Sequence, residues 1–246
     1  MFDFLKNHPF GVVAELERTV VLSFAVPKAE LQRLTPSFLE LDTFQDEWGF
    51  VAVAIVHTMH LRPVGFPTWM GNDFWLIGYR VFVRYHNTKG KRLRGLYILG
   101  SETDKRRMAF LGELFTRYRY TLKQLTAMTS GLRTSVRSPD GSTSVVYDEG
   151  PKDIALPTAS VFKDWSEARR FVGPLPFTFS HDRSSNSVVI VEGARSDWEP
   201  RPVSVQSHAF SFLDGLGLGD LRLSNAFVID RVPYHWKRGV LEPLPA

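Results

Sequence analysis

The chain contains no cysteine. Disulfides, thiolate nucleophiles and cysteine-based zinc or iron–sulfur centres are thereby excluded, and several enzyme classes go with them. It also lacks a long apolar run. The longest uncharged one, "GFVAVAIV" at 49–56, falls well short of the roughly 20 residues that a membrane-crossing helix needs. That run reads as a strand, and no membrane partner is called for. The first residues lack a basic start, a clean apolar segment and a small-residue cleavage site, which argues against a signal peptide and for a cytoplasmic protein. No internal repeat, low-complexity tract or linker divides the sequence, so its 246 residues are expected to form one domain.

Positive charge is abundant but uneven. The net charge is +4, yet from Arg80 to Lys123 twelve Lys or Arg stand against Glu102, Asp104 and Glu113, which makes that stretch +9 and leaves −5 for the remainder. Such a basic island attracts anions, whether carboxylate, phosphate or nucleic acid.

The dominant rhythm is the period of two that marks strands. It runs through 18–26, 38–44, 50–60, 74–86 and 93–102, with the "NTKGKR" turn joining the last two. Further strands are expected at 118–128, 132–138 and 142–148, and in "FTFSHD", "SVVIVEG", "RPVSVQSHAFSFL" and "NAFVIDRVPYHW". A short helix is expected between Pro27 and Pro36, and another in "SVFKDWSEARRFVG", closed by Gly173. Between them, 103–115 has a helical period with Met108, Leu111 and Phe115 on one face and Thr103 or Asp104 as cap. About a dozen strands with three short helices indicate a mainly β (α+β) fold, a large, bent, mainly antiparallel sheet closing on itself.

Residues 113–123, "ELFTRYRYTLK", pose the functional question. In a strand, Tyr118 and Tyr120 face one way and Arg117, Arg119 and Thr121 the other. The stretch can be one wall of a ligand pocket, a solvated surface or a strip that stacks on nucleic acid, and alternation alone does not say which face would line a pocket. A pocket lining of Arg and Tyr suits a small carboxylate or phosphate, because guanidinium offers a bidentate fork and phenol a neutral hydrogen bond. In "YRVFVRYH", Arg80, Phe82, Arg84 and His86 share a face too polar for a dry core, and burial of Arg80 calls for an acid such as Glu113 or Glu102. Tyr234 and Trp236 in "VPYHW" are placed to close over a ligand, beside the rigid prolines of "FVGPLPFTF". No metal site is expected: His57 and His60 of "HTMH" point to opposite faces of a strand and no metal motif supports them. A serine-hydrolase reading fails for want of "GxSxG". Arginines interleaved with aromatics do resemble a stacking platform, but no recognition motif accompanies them, which argues against a nucleic-acid partner.

The order of segments carries a resemblance. The stretches "VPKAELQRLTP", "LELDTFQDEWGFVAVAIV", "DFWLIGYRVFVRYHNTKGKRLRGLYIL" and "GELFTRYRYTL", followed by "ARRFVGPLPFTF", "VVIVEG", "WEPRPV" and "VPYHWKRG", resemble the uncharacterised YqjF-like family of the acetoacetate decarboxylase-like superfamily. The resemblance covers nearly the whole chain and implies a bent sheet forming a cone or partly closed barrel around a central pocket. It also implies a catalytic segment in the superfamily manner: a glutamate-bearing helix followed by two lysines, one forming a Schiff base while its neighbour and desolvation lower its pKa. Here Glu113 takes the glutamate position and "FTRYRY" replaces the lysine pair. Arg119 cannot serve as that nucleophile, since guanidinium stays protonated. Acidic residues that the family often carries in the long strand are replaced by Trp75 and Leu76.

The resulting expectation is a small-molecule protein whose internal pocket takes an anionic, oxo-acid-like ligand without a Schiff-base lysine or cofactor. Arg119 and Arg80 would hold the anion, with Glu113 as acid or base and Tyr118 as proton donor. Arg117, Tyr120, Tyr234 and Trp236 would contact the ligand. Arg119 should accordingly be buried and paired with Glu113 or another acid. A noncatalytic binding or sensor protein on the same fold is the alternative, and self-association into a homo-oligomer is left open.

Overall fold

The computed structural model of the chain describes residues 3–150, 154–173, 175–196 and 198–244. After a 3-10 turn at Asp3–Asn7, strand β1 (Val12–Pro27) leads into helix α1 (Lys28–Gln32), strand β2 (Glu40–Leu41) and strand β3 (Trp48–Pro63). A 3-10 turn at Thr68–Met70 precedes β4 (Asn72–His86) and β5 (Arg92–Thr103); helix α2 (Arg106–Phe115) and strand β6 (Tyr120–Leu122) follow. Next come β7 (Thr126–Ser130), β8 (Arg133–Arg137), β9 (Thr143–Asp148) and helix α3 (Trp165–Phe171). The last third holds β10 (Phe177–Asp182), β11 (Ser187–Arg195), β12 (Arg201–Pro202), β13 (Ser204–Phe210), helix α4 (Ser211–Asp214), β14 (Arg222–Trp236) and β15 (Val240–Pro243). None of the described helices is long and apolar enough to cross a membrane.

Eleven of these strands form one sheet and β13, β9, β8 and β7 form a second. Within the large sheet the order β14–β1–β3–β4–β5–β10–β11 closes on itself, because β11 also pairs with β14 through Gly193↔Trp236 and Arg195↔Tyr234. The pairing is mainly antiparallel, with parallel contacts where β5 meets β10 and β6.

Strand alternation sorts the side chains of this ring. Val51, Val53 and Ile55 of β3 and Ile77, Tyr79, Val81 and Val83 of β4 point outward and pack with Val136, Val145 and Tyr147 of the second sheet. The opposite parity points inward. There Phe50 stacks on both Phe82 and Phe162, near the phenylalanine that ends α3. Helix α3 starts where the sequence allows a good cap: Asp164 accepts from the Glu167 amide at 2.8 Å, and Glu167 accepts from the Lys163 amide at 2.9 Å.

Several expected boundaries shift for identifiable reasons. The strand expected over 38–44 shrinks to Glu40–Leu41, because Asp42 turns inward, fully buried, to hold both Arg84 and Arg94. Helix α2 starts later than 103, since Thr103 still belongs to β5 and the Asp104 carboxylate accepts from the Trp75 amide at 2.8 Å instead of capping the helix. The strand expected over 118–128 breaks into β6 and β7, which belong to different sheets. Lys123, at the break, reaches Ser142 at 2.5 Å and lies 3.5 Å from both Glu102 and Asp140.

Candidate functional site

The ring encloses a cavity of about 480 Å³. Inward residues of β3 and β4 build one wall, among them Ala52, Ala54, Val56, Leu76, Arg80 and Phe82. Small side chains on β3 keep the interior open. Gly78, paired with Ala54, has the same purpose: a Cβ there would lie 2.7 Å from Arg80 Nε, so the guanidinium folds back over a strand position that only glycine leaves clear.

Arg80 faces the cavity and is ringed by protein, with Tyr118, Tyr120 and Tyr234 as its electrostatic neighbours. Its Nε has no hydrogen-bond partner among the described residues, and no carboxylate among them forms an ion pair with it. Burial pulls its pKa below the usual guanidinium range, while the three phenols oppose that shift. The acid partner expected for Arg80 is therefore not found among the described residues. Glu102 lies on the other face of β5, accepting from Tyr79 Oη at 2.8 Å and facing Lys123. Glu113 is exposed and accepts from the Tyr120 amide at 2.6 Å.

The stretch after α2 is irregular up to β6, and its side chains divide between the two sides. Tyr118 and Tyr120 line the cavity, whereas Arg117 and Arg119 turn away from it. Arg119 is exposed, takes a left-handed φ of 53° and has no ion pair among the described residues. Its expected burial against an acid is overturned, because its carbonyl is committed to the Ser101 amide and the two tyrosines claim the inner face. Arg117 instead clamps the N-terminal turn: it pairs with Asp182 at 2.8 Å and Asp3 at 3.0 Å and donates to Asn7 Oδ1. Burial pushes the Asp182 carboxyl up, but hydrogen bonds from Ser184, Asn7 and Ser185 and the Arg117 charge outweigh it and hold the group at about 2. Arg117 is thus a structural ion-pair residue, and Glu113 fixes the segment through the Tyr120 backbone.

Tyr234 and Trp236, at the end of β14, also line the cavity, their rings 4.2 Å apart. The Tyr118 hydroxyl is buried without a partner among the described residues, and burial raises its pKa, so it is a neutral donor. Tyr120 is pushed up to about 12, also chiefly by burial. Two lining residues carried no sequence signal. His8, 5.1 Å from the Tyr118 ring, has an unpartnered buried Nε2, and burial lowers its imidazole to about 4, so it is neutral at pH 7. Arg195 lies 4.1 Å over the Trp198 ring and 5.8 Å from that of Tyr234. Both come from chain ends of elements, His8 before β1 and Arg195 at the close of β11, where no periodicity marks them. Pro174, one of the prolines expected to rigidify the pocket mouth, lies outside the described residues.

Counted by chemistry, the described lining holds His8, Arg62, Arg80, Arg107 and Arg195 but no lysine, aspartate or glutamate. No group of three His, Asp or Glu among the described residues is arranged to hold a metal ion. A buried cation in a low-dielectric, apolar enclosure attracts an anion far more strongly than one in water. The arrangement offers a guanidinium and a neutral phenolic hydrogen-bond donor to an anionic head group.

Comparison with known proteins fits this architecture. The model of the DUF2071 family, described as an uncharacterised conserved protein, matches residues 13–234. No curated protein matches the chain. A crystal structure of acetoacetate decarboxylase from Legionella pneumophila is similar with a TM-score of 0.62 at 14% identity, covering 96% of this chain and 89% of that one. An acetoacetate decarboxylase-like enzyme from Sphingomonas wittichii RW1 gives 0.55 at 14% identity, over 96% and 92%. The enduracididine biosynthesis enzyme MppR complexed with pyruvate gives 0.56 at 9% identity, over 95% and 90%. The ring around an arginine-bearing cavity is thus an acetoacetate decarboxylase-like fold, and the chain belongs to the DUF2071 family.

Proposed function

We propose that this protein binds a small organic anion inside the ring, with the anionic group on Arg80 and no covalent bond to lysine. The observation that carries this reading is the Arg80 side chain, half-buried in the cavity wall with its buried Nε unpartnered and no ion pair to a carboxylate among the described residues. A buried charge without a counter-ion is costly, and a ligand carboxylate repays that cost on binding. One structural neighbour, the enduracididine biosynthesis enzyme MppR, is complexed with pyruvate, which is consistent with a small-carboxylate ligand on this fold.

Absence of lysine from the described lining supports a noncovalent mode. Lys123, the lysine nearest the superfamily's catalytic segment, is held by Glu102, Asp140 and Ser142 on the far side of β5. Acid–base chemistry on the bound anion would fall to Tyr118 and His8. The lack of a carboxylate in the described lining favours a binding or sensor role over a decarboxylase.

Two measurements test this. Titration calorimetry with short carboxylates should give binding that Arg80→Met weakens by about tenfold or more, the share of a charge-assisted hydrogen bond. Borohydride reduction in the presence of acetoacetate or pyruvate, followed by intact-mass measurement, should leave the protein mass unchanged. A stable ligand-sized adduct on a lysine would overturn the noncovalent reading.

A further inference from the structure

Beside the arginines, His8, the three tyrosines and a few hydroxyl and amide side chains such as Thr58, Asn72 and Ser101, most of the cavity lining is hydrocarbon. Val56, Leu76, Phe74, Leu61 and Leu16 line it alongside the alanines of β3. Four of the nine buried polar atoms that lack partners among the described residues, Arg80 Nε, Tyr118 Oη, His8 Nε2 and Thr19 Oγ1, are on lining residues. Polar demand is therefore focused and apolar area is spread out. A volume of about 480 Å³ falls within the roughly 300–1,000 Å³ of sites that enclose drug-sized ligands. A short oxo acid would satisfy the head group but leave most of the apolar wall uncovered.

The apolar surface continues to the outside. Phe66 and Met70 line the cavity and are 49% and 40% exposed, and Trp69 between them in the same loop is 82% exposed. Arg62, the cation beside this rim, spends its Nε on the Phe66 carbonyl and its Nη1 on the His60 carbonyl. The Phe66–Met70 rim thus offers apolar contact, with Arg62 largely committed to backbone carbonyls, while Arg107 and Arg195 lie elsewhere in the lining.

From this distribution we infer that the ligand is an amphipathic monocarboxylate, its carboxylate on Arg80 with Tyr118 and His8 beside it, and its hydrocarbon body along the walls to the Phe66–Met70 rim. The inference rests on the anion-binding reading above and adds the class of molecule. The neutral His8 and Tyr118 suit a single negative charge, since both can donate one hydrogen bond without adding charge of their own.

The test is a calorimetric series of straight-chain monocarboxylates from acetate to decanoate, with 1-octanol, suberate, pyruvate and acetoacetate alongside. Each added methylene should tighten binding by about fourfold until the walls are covered, the value of one buried methylene, after which affinity levels off. Octanoate should exceed 1-octanol by about tenfold or more, and suberate should bind more weakly than octanoate because its second carboxylate meets an apolar wall. Val56→Phe should lower the chain length at which affinity levels off, with Val56→Leu as the milder variant should the first fail to fold.

A flat response to chain length, with pyruvate or acetoacetate binding as tightly as octanoate, would overturn the amphipathic class while leaving the anion reading intact. Suberate binding more tightly than octanoate would overturn the single charge. Octanol matching octanoate, or failure of every carboxylate to bind, would overturn the anion reading and this inference together.

Discussion

His8 and Arg117 both tie the N-terminal segment to the ring, and each sets a different response. The folded protein holds His8 at about 4 by burial, against 6.5 for the free side chain. Between those values the unfolded chain carries a proton that the folded chain refuses, so stability rises with pH. Its contribution is full above about pH 6.5 and lost progressively down to about pH 4, a loss of about 3 kcal/mol at most. Urea midpoints at pH 7.5 and pH 4.5 should therefore differ less in His8→Phe than in the parent, and equal differences would remove His8 as the source. Of the arginines in the 113–123 stretch, Arg117→Ala should cost about 2–3 kcal/mol by leaving Asp182 buried without its cation, with ligand affinity unchanged. Arg119→Ala should stay within about 0.5 kcal/mol, as an exposed substitution does. Comparable losses from both would contradict the split that their surroundings dictate.

At the scale of elements, the site depends on how α2 delivers the tyrosines. Gly112 sits on that helix against the Tyr120 ring, and a Cβ there would collide with it. Two effects compete in Gly112→Ala. Helix propensity favours alanine by about 1 kcal/mol, whereas overpacking costs about 1–3 kcal/mol. The collision should prevail, giving a net loss of up to about 2 kcal/mol and a displaced Tyr120 that weakens ligand binding. A variant stabilised by about 1 kcal/mol with unchanged affinity would mean that the ring moves aside freely. The period of 3.6 in 103–115 was enough to predict this helix and its apolar face. It could not reveal the late start, because Asp104 is drawn off by Trp75, a residue distant in sequence.

Across the whole molecule, the ring and the second sheet share one core, in which Val53 and Tyr79 of the ring pack with Val136 and Tyr147. We expect the chain to unfold as a single cooperative unit, with far-UV and near-UV circular dichroism following one curve in urea. Separate transitions would divide the chain into two domains. Folding divides the basic island between Arg80 and Lys123. Arg84 and Arg94 share Asp42, Arg117 takes Asp182, Lys123 takes Glu102 and Asp140, and Arg80 enters the cavity. Its exposed members, such as Lys89, Lys91 and Arg106, lie at the β4–β5 turn and the start of α2.

Local alternation alone determined much of this protein. It placed Arg80 and Phe82 on one face of β4 and Tyr79 and Val81 on the other, and made the fold mainly β. These are properties of the pleat, which each strand carries in its own residues. Which face became the interior was decided by closure of the ring through β11 and β14, a pairing between segments far apart in the chain. Closure turned the tyrosines and Arg80 inward, brought His8 and Arg195 to the same cavity, and left Arg119 outside. Neither the acid expected beside Arg80 nor its absence could be read from residue order, because ion pairs form between side chains that meet only when distant strands are packed.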